Sequence, residues 1–543
     1  MAAGKQKWIV IIALLGVLVA AALALAASMF AARIEPYARQ AAIAYLSRRF
    51  ESDVQLGALH IRLPDTSLLR LVLTRGRGAT ARIEGQDLLL RLKSRPDAIP
   101  ILSIQKFHCD VKVESLFHPP VVTPEIFVDG MEIQIPPRGA QAGAPSHSAV
   151  AEVGGSQSPS SPGAIIHKVT INHATLVLQP RDKQRLPLRF DIQSLQLESP
   201  TSGGPWDYEA LLTNAKPPGQ VHAAGAFGPW RASEPGDTSI TGKYQFEKAD
   251  LGVFAGIAGT LDSTGRFDGQ LAALLVRGQA TVPNFRLRTV GNPVALSTRF
   301  TVLVDGTNGN TILQPVTATL GSTNFTTSGG IIKHEANQRR AISLDVTMPN
   351  GSMHDVLRLA MKGTPFMEGR LVLHTRIDIP PLAAKVREKL EMEGRFEVLQ
   401  GNFLHSTIQN QIDSLSRHAR GQPQNPDSEQ VVSQMKGEFH LENADMRFRD
   451  VSFGVPGADI DLSGDYDLDS DALDFGGTLK LQATLSQMVT GWKGAILRPL
   501  DRFFEKDGAG TFLHIRVDGT SKQPKFGVIL AGKRLEAPLP KRK

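Results

Sequence analysis

Cysteine is almost absent from this chain of 543 residues, which contains only Cys109. A single cysteine excludes an intramolecular disulfide and a zinc site built from several thiolates. Around it, Phe107, Cys109, Val111 and Val113 alternate onto one face of a strand. We therefore expect Cys109 to be a small buried apolar residue rather than a nucleophile, with His108 on the opposite face.

Local catalytic signatures are also missing. The sequence has no Walker A loop, no G-x-G-x-x-G turn, no G-x-S-x-G elbow and no H-E-x-x-H helix, so the phosphate-cradle, serine-hydrolase and zincin signatures are absent. We predict no catalytic residue, no cofactor and no enzymatic activity. Two carboxylates that meet only in the folded chain need no local motif, so an envelope hydrolase stays open as an alternative.

Charge of one sign is not concentrated along most of the chain, because 60 basic residues face 53 acidic ones. The densest basic stretch, residues 62–95, lacks the interleaved aromatics of a base-stacking surface. Lipid headgroups are therefore favoured over nucleic acid as its partner, and a solvated outer strand face is favoured over both.

One acidic run is the best metal candidate, and its members are Asp459, Asp461, Asp465, Asp467, Asp469 and Asp471. Calcium needs several oxygen ligands, but the glycine and glutamate of an EF-hand loop do not follow at the required places. Apolar residues alternate with these aspartates, which is typical of the solvated face of a strand. We predict a strand face here and no metal.

The N-terminal segment Trp8–Ala32 carries no charge, and its roughly 25 residues suffice to cross a hydrocarbon core of about 30 Å. We predict an uncleaved transmembrane helix with a cytoplasmic N-terminus, anchored by Trp8, Ile9, Leu14, Leu18, Leu23 and Phe30. A cleaved signal peptide is the alternative, although the apolar run is long for one. Helical spacing of Ile34, Tyr37, Ala41 and Tyr45 predicts a second, amphipathic helix beside the membrane.

Beyond residue 50, apolar and polar residues alternate in segment after segment, each bounded by Gly, Pro, Asn or Asp. This pattern predicts a mainly β, largely antiparallel body. Apolar residues at odd offsets, such as Val128 and Met131 around Asp129-Gly130, predict either tight hairpins or bulges that keep one face apolar. A Gly-x-aromatic skeleton recurs in "GKYQFEKADL" (242–251), "GRFEVLQGNF" (394–403) and "GEFHLENADM" (437–446), where we expect hairpins whose glycine opens the strand.

Two helical stripes interrupt the strand pattern near the C-terminus. One comprises Ile408, Ile412, Leu415 and Ala419. The other comprises Met488, Val489, Trp492, Ile496, Leu500 and Phe503, with basic residues among them. The second stripe fits a helix on a membrane surface or a helix that covers a sheet edge, and the latter is favoured.

The C-terminal segments "GRFEVLQGNFLHSTIQNQIDSLSR", "GEFHLENADMRFRDVSFGVPGADIDLSGDYDLDSDALDFGGTLKLQATLS" and "GWKGAILRPLDRFFEKDGAGTFLHIRVDGTSKQPKFGV" resemble, in that order, the end of the AsmA-like family of bacterial envelope proteins. The apolar N-terminal segment followed by "VQLGALHIRLP" is similar to how such proteins begin. The resemblance covers the anchor and roughly the last 150 residues, while the middle of the chain is only compatible with it.

This resemblance implies an elongated, curved antiparallel sheet forming a taco-like groove with a few short amphipathic helices. It also implies a single-pass protein of the bacterial inner membrane, with most of the chain in the periplasm. The expected function is lipid binding or lipid transfer, in which an apolar groove shelters phospholipid acyl chains and contributes to outer-membrane lipid homeostasis. The groove residues are expected to be Phe246, Leu251, Phe396, Val398, Phe403, Phe439, Leu441 and Met446.

The expected organisation follows from the anchor, the composition and the resemblance. A flexible Gly/Ser/Pro/Ala linker separates two β regions, and phospholipids, the inner membrane and outer-membrane or envelope proteins are the expected partners, with no nucleic acid. An assembly factor for outer-membrane proteins that pairs β-strands with its clients is the alternative function, and a closed β-sandwich pair is the alternative fold. The predicted regions are 1–33 (cytoplasmic tip and transmembrane helix), 34–51 (amphipathic helix), 52–137 (N-terminal β region), 138–163 (linker), 164–380 (central β region), 381–531 (AsmA-like C-terminal region) and 532–543 (basic tail).

Overall fold

The computed structural model describes residues 35–36, 38–48, 52–62, 79–92, 99–112, 114, 121–135, 164–179, 187–199, 205–229, 231, 235–288, 291–334, 339–424, 431–489, 492–506, 508–520, 523–530 and 533–536. Most of these residues lie in strands, so the prediction of a mainly β chain with few helices is confirmed.

The strands are β1 (Ser52–Arg62), β2 (Thr80–Leu92), β3 (Leu102–Lys112), β4 (Val121–Ile135), β5 (Ala164–Leu178), β6 (Leu188–Glu198), β7 (Trp206–Ala215), β8 (Pro218–Phe227), β9 (Ser239–Asp250), β10 (Ile257–Ala258), β11 (Thr260–Gln270), β12 (Ala273–Leu287), β13 (Val294–Val304), β14 (Thr311–Leu320), β15 (Thr323–Lys333), β16 (Arg340–Ser352), β17 (Met367–Ile379), β18 (Glu391–Phe403), β19 (Ser433–Glu442), β20 (Asp445–Val455), β21 (Ala458–Asp467), β22 (Ala472–Leu481), β23 (Thr511–Thr520), β24 (Gln523–Leu530) and β25 (Lys533–Glu536). The helices are α1 (35–36 and 38–48), α2 (Met353–Ala360), α3 (Val386–Lys389), α4 (Ser406–Ala419) and α5 (Trp492–Phe504), with short 3-10 helices at Pro235–Asp237 and Leu251–Val253.

The chain divides into two compact units. The first comprises Met1–Glu247, Gly265–Leu274 and Asp305–Asn308, and the second comprises Lys248–Thr264, Leu275–Val304 and Gly309–Lys543. The predicted linker, residues 138–163, therefore lies within the first unit. The division between the units falls inside the predicted central region, 164–380.

In the first unit, most strands pair antiparallel with the next strand along the chain. The exception is β4, which pairs with β5 in parallel over almost the whole length of both strands. Two parallel neighbours require a connection that returns along the strand, and residues 136–163 make that connection. The Gly/Ser/Pro/Ala-rich segment thus joins two adjacent strands of one sheet.

Helix α1 lies along the edge strand of the first unit. The carboxylate of Glu35 accepts a hydrogen bond from the backbone N–H of Ile61 at 3.1 Å, and the guanidinium of Arg39 donates to the carbonyl of Leu56 at 2.8 Å from Nε. Unpaired backbone groups on an edge strand invite pairing with other chains. These two side chains occupy such groups on β1.

The apolar side of α1 packs on the sheet of its own unit. Ala38, Ile43 and Leu46 contact the buried cluster of strands β1–β6. The predicted stripe was wrong at Ala41, which is exposed, and Ile34 and Tyr37 lie outside the described residues. The described residues of the predicted 34–51 helix, 35–36 and 38–48, are helical, and the described part of their apolar side contacts protein.

Most of the apolar pairs separated by an odd number of positions flank a β-bulge. Around Asp129-Gly130, β4 runs on without turning back, and Gly130 has a φ of 70° while Val128 and Met131 are both buried. Equivalent bulges follow Phe246, at Lys248, and Val398, at Gln400, whose φ values are 52° and 55°. Each bulge adds one residue and so returns the apolar side chains to the same face.

One of the three Gly-x-aromatic segments is a hairpin. Leu441 pairs with Met446 across a turn in which Asn443 and Ala444 have φ values of 54° and 64°. Two consecutive residues with positive φ are the mark of a type I′ turn, which suits the twist of paired strands. The hairpin interpretation therefore holds for 437–446, and the bulge interpretation holds for the segments that begin at Gly242 and Gly394.

The second unit contains an antiparallel meander, in which β13 to β24 each pair with the next strand along the chain. Gly401 pairs with Ser433, Val455 with Ala458, and Leu481 with Thr511. The first and third pairs bring together the strand ends that α4 and α5 connect, and a short turn joins Val455 to Ala458 between them. Helix α2 also connects strands at this end, between β16 and β17.

Of the helices in the described ranges, none combines the length and the hydropathy that crossing a bilayer requires. The predicted transmembrane segment and its anchor residues, Trp8, Ile9, Leu14, Leu18, Leu23 and Phe30, lie outside those ranges. Of the predicted basic tail, Lys533–Glu536 form β25.

The environment of Cys109 matches the prediction from its strand. Its side chain is 7% exposed, and burial raises the pKa of the thiol to about 11, with the neighbouring Asp110 adding to the shift. His108 points to the other side, where its ring stacks on Phe127 with centroids 4.9 Å apart. The thiol is therefore protonated and shielded at neutral pH.

We expect Cys109 to resist alkylation in the folded protein. Because the thiolate is the reactive form, a pKa near 11 lowers its population at pH 8 by about two orders of magnitude relative to a free cysteine. Maleimide labelling followed by mass spectrometry, with and without urea, measures this directly because the chain has no other cysteine. Equal labelling rates in both conditions would show that the thiol is accessible.

Candidate functional site

One side of strands β18–β24 in the second unit is apolar and the other is charged. On β18, Phe396 is half-buried and Val398 is buried, whereas Arg395 and Glu397 are exposed on the opposite side. The strand register continues this alternation across the neighbouring strands. We call this side the apolar face, and it is formed by Phe396, Val398, Phe439, Leu441, Met446, Phe448, Ile460, Leu462, Tyr466, Leu473, Phe475, Ile515, Val517 and Phe526.

Glycines on the apolar face accommodate aromatic rings from the adjacent strand. Gly394 pairs with Phe439, and a Cβ atom built on Gly394 would lie 2.8 Å from Cζ of that ring. Gly464 pairs with Phe475, and its Cβ would lie 2.8 Å from Cγ of Phe475. The neighbouring backbone is also close, since the same Cβ atoms would lie 2.6 Å from the carbonyl oxygen of His374 and 2.2 Å from that of Asp474. Glycine therefore stands where both a ring and a backbone approach the strand closely, rather than to open its own strand.

The rings laid over these glycines touch one another. The centroid of Phe396 lies 6.3 Å from that of Phe439 and 6.5 Å, edge-on, from that of Phe448. Phe448 in turn lies 5.7 Å from Phe475. Such separations are typical of favourable aromatic pairs, so a connected row of rings crosses β18 to β22.

The row of rings is not sealed by other parts of the second unit. Phe396, Phe439, Phe448 and Phe475 are each half-buried, and Phe526 on β24 is 50% exposed. Strands β13–β25 pair only with their sequence neighbours among the described residues, and no second sheet lies over the rings there. This part of the sheet therefore leaves apolar surface open.

The end of the apolar face nearest the helices is closed. Ala419 of α4 is fully buried in a cluster with Val455, Ala458 and Leu481. Val356 and Leu357 of α2 pack against Met367, Leu371 and Val398. The predicted stripe on α4 is confirmed at Ile412, Leu415 and Ala419, while Ile408 is exposed. The helices thus fill one end, and the rings further along the strands stay half-buried.

The structure brings most of the predicted groove residues together. Phe396, Val398, Phe439, Leu441 and Met446 share the apolar face of β18–β20, and Phe403 lies at its closed end, where its ring is 6.3 Å from that of Phe453. Val398 and Leu441 are buried by the protein itself. They therefore support the face from within, and Phe396, Phe439 and Met446 are the members with accessible surface.

The two remaining predicted residues lie elsewhere. Phe246 is on β9 in the first unit, where it is half-buried and pairs with Val221 of β8. Leu251 is in the second unit, in a short 3-10 helix, where it is buried and donates its backbone N–H to the carbonyl of Gly259. Phe246 and Leu251 are five positions apart, as are Leu441 and Met446, but neither belongs to the apolar face of β18–β24.

Comparisons with protein-family models, with curated proteins and with solved structures find no match to this chain.

Several residues of the apolar face escaped the sequence pattern. Phe448, Phe475 and Phe526 are not preceded by glycine two positions earlier, so the Gly-x-aromatic skeleton omits them. Phe448 and Phe475 both pair with Gly464 on the strand between them. The useful signal is therefore an aromatic residue opposite a glycine on the next strand, which requires the strand register.

The acidic run is the solvated side of β21 and the turn after it. Asp459, Asp461, Asp465 and Asp467 alternate outward along the strand. Asp461 and Asp465 lie 3.4 and 3.5 Å from Lys480 and Arg447, and Asp467 accepts hydrogen bonds from the backbone N–H groups of Asp469 and Ser470. The strand-face interpretation is confirmed, and no cluster suited to a metal occurs among the residues described.

A polar depression near α2 contains both a histidine and an acid, with Nδ1 of His354 3.9 Å from Oδ1 of Asp355. It is lined by Ser322, Ser352, His354, Asp355, Glu368, Gly369, Arg370, Gln400 and Asn402. Burial acts to raise the pKa of the Asp355 carboxyl, but hydrogen bonds from Ser322 and Thr323 outweigh it and lower the pKa. Asp355 thus holds the turn between β14 and β15 as a carboxylate, which is not the state of a general acid.

Proposed function

We propose that this protein binds lipid through the apolar face and transfers it without a chemical step. The observation that carries this proposal is the row of half-buried rings on β18–β22, which has apolar surface exposed and no covering layer within its unit. Large exposed apolar patches mark binding surfaces. From the resemblance of the C-terminal segments to the AsmA-like family we further infer that the ligand is phospholipid and that the sheet forms a taco-like groove.

The physical basis would be transfer of acyl chains out of water. Each methylene buried against the apolar face contributes about 0.8 kcal/mol, so a single acyl chain gains several kilocalories per mole from partial burial. The exposed outer side, with Arg395 and Glu397, keeps the sheet soluble. Among the residues that form the apolar face, Tyr466 is the one with a polar group. Its hydroxyl donates a hydrogen bond to the carboxylate of Asp471 at 2.7 Å.

The proposed cellular location of the protein rests on its N-terminal segment and on the family resemblance. In this proposal, Trp8–Ala32 anchors the chain in the bacterial inner membrane, and the β units lie in the periplasm. The lipid would be phospholipid moving between the envelope membranes, with envelope proteins as further partners. The protein would thereby contribute to the supply of phospholipid to the outer membrane.

Site-specific photocrosslinking tests lipid contact in the full-length chain. A photoreactive phenylalanine analogue replaces Phe475 on the apolar face or, as the matched control, Asp474, which is exposed on the other side of the same strand. Cells are grown with radioactive phosphate and irradiated. We expect label on the protein band at position 475 and little at position 474, because adjacent strand residues face opposite sides.

The crosslinking result also separates the competing functions. Equal phosphate label at both positions would contradict a ligand held on the apolar face. Crosslinks from position 475 to other polypeptides, without phosphate label, would favour the assembly-factor hypothesis instead.

A further inference from the structure

Helix α5 exposes large apolar side chains to solvent. Ile496 is 60% exposed and Phe503 is 68% exposed, which makes them two of the most exposed large apolar residues in the described chain. They lie seven positions apart and therefore on the same side of the helix. A helix that covered a sheet edge would bury these residues.

Polar contacts attach α5 to the second unit. The carboxylate of Asp501 accepts hydrogen bonds from the backbone N–H and the hydroxyl of Ser486, at 2.9 and 2.7 Å. After the helix, the ammonium group of Lys506 lies 5.2 Å from the ring centroid of Phe512 on β23. The helix is held in place while Ile496 and Phe503 stay uncovered.

Basic residues are also exposed on and just after α5. Arg498 and Arg502 are exposed on the same helix, Lys506 is exposed just beyond it, and the guanidinium of Arg502 lies 5.0 Å from the Phe503 ring centroid. The acids in residues 492–506 are Asp501, which is engaged with Ser486, and Glu505, which is exposed, and Asp507 follows them in the sequence. The exposed charged side chains of residues 496–506 are therefore three basic ones and one acidic one.

We propose that α5 docks on an anionic lipid bilayer. A helix with exposed aromatic and aliphatic side chains next to arginine and lysine fits the boundary between headgroups and acyl chains, where apolar burial and attraction to anionic lipid act together. Three exposed basic side chains, of which Arg502 lies beside Phe503, against the single exposed acid Glu505 favour an anionic surface over a neutral one. This site is separate from the apolar face, and it stands whether or not that face binds lipid.

Vesicle sedimentation tests the docking. The full-length chain is held in phosphatidylcholine nanodiscs and mixed with sucrose-loaded vesicles of phosphatidylcholine, with or without phosphatidylglycerol. We expect the protein to sediment with the vesicles that contain phosphatidylglycerol. The double variant Ile496→Asp/Phe503→Asp should lower this binding at least about tenfold, and Arg498→Glu/Arg502→Glu should abolish the preference for anionic vesicles.

The matched control is Ile312→Asp, which alters another exposed isoleucine, 50% exposed, on β14 of the same unit. It should bind the vesicles as the unaltered chain does. Failure of the unaltered chain to bind phosphatidylglycerol vesicles would overturn the proposal. Retained binding in Ile496→Asp/Phe503→Asp would overturn it too.

A fluorescent probe keeps the proposal testable if the double variant does not fold. Phe503→Cys can be labelled selectively with an environment-sensitive dye because Cys109 is buried and protonated. We expect a blue shift on addition of phosphatidylglycerol vesicles, and quenching by lipids that carry a nitroxide on the acyl chain. An unchanged spectrum would count against membrane insertion, whereas lipid crosslinking at Phe475 reports on the apolar face alone.

Discussion

Replacing Phe396 or Phe439 by aspartate is expected to remove phospholipid from the purified protein. Both rings are half-buried on the apolar face, and their centroids lie 6.3 Å apart. A carboxylate there faces the acyl chain instead of a ring, and an apolar ligand does not compensate its desolvation. We expect at least about a tenfold loss of bound lipid, measured by extraction and mass spectrometry per mole of protein.

The control for this prediction is Arg395→Asp on the same strand. Arg395 is exposed on the outer side, so the charge changes without touching the apolar face. This variant should retain its lipid. Thermal melting monitored by circular dichroism confirms that each variant is folded. A folded Phe396→Asp protein with its lipid content unchanged would refute lipid binding by this face.

Two adjacent glycines on β22 should respond oppositely to alanine. A Cβ on Gly477 would lie 1.9 Å from the carbonyl oxygen of Asp461 and 2.9 Å from Cδ2 of Leu462, whereas a Cβ on Gly476 would have no atom within 4 Å. Overpacking a sheet against a backbone carbonyl costs about 1–3 kcal/mol. Gly477→Ala should therefore destabilise the second unit by about that amount, measured by urea denaturation.

Gly476→Ala serves as the internal control because it changes the same chemical group on the same strand. Neither glycine has a positive φ, so alanine is compatible with the backbone at both sites. Gly476→Ala should be neutral or stabilising by up to about 1 kcal/mol, through reduced freedom of the unfolded chain. Similar destabilisation by both substitutions would show that glycine is needed at β22 for a reason other than close packing.

The alternating pattern identified the strands because burial on one side imposes a period of two. β21 illustrates this, since its exposed aspartates and half-buried apolar residues alternate without interruption. The same pattern could not separate a hairpin from a bulge, because both keep Val128 and Met131 on one face. It also carries no information on strand direction, so the parallel pairing of β4 with β5 was not predicted.

The candidate site was predictable in part. Phe396, Phe439 and Met446 were selected from the spacing of one skeleton and do share a face. Phe448 and Phe475 were missed because the glycine that receives them, Gly464, lies on another strand. Trp492 and Ile496 belonged to a stripe expected to cover an edge, yet Ile496 faces solvent. Helical spacing identifies a side of a helix but not what lies against it.

The aromatic rings laid across Gly394 and Gly464 give the sheet a shallow relief. At both positions the glycine has no Cβ to contact the neighbouring Phe ring, so the ring lies close against the strand. A flexible hydrocarbon resting there would meet only low barriers to sliding from one strand to the next. Such a surface would hold its guest firmly against release into water while leaving it free to travel lengthwise.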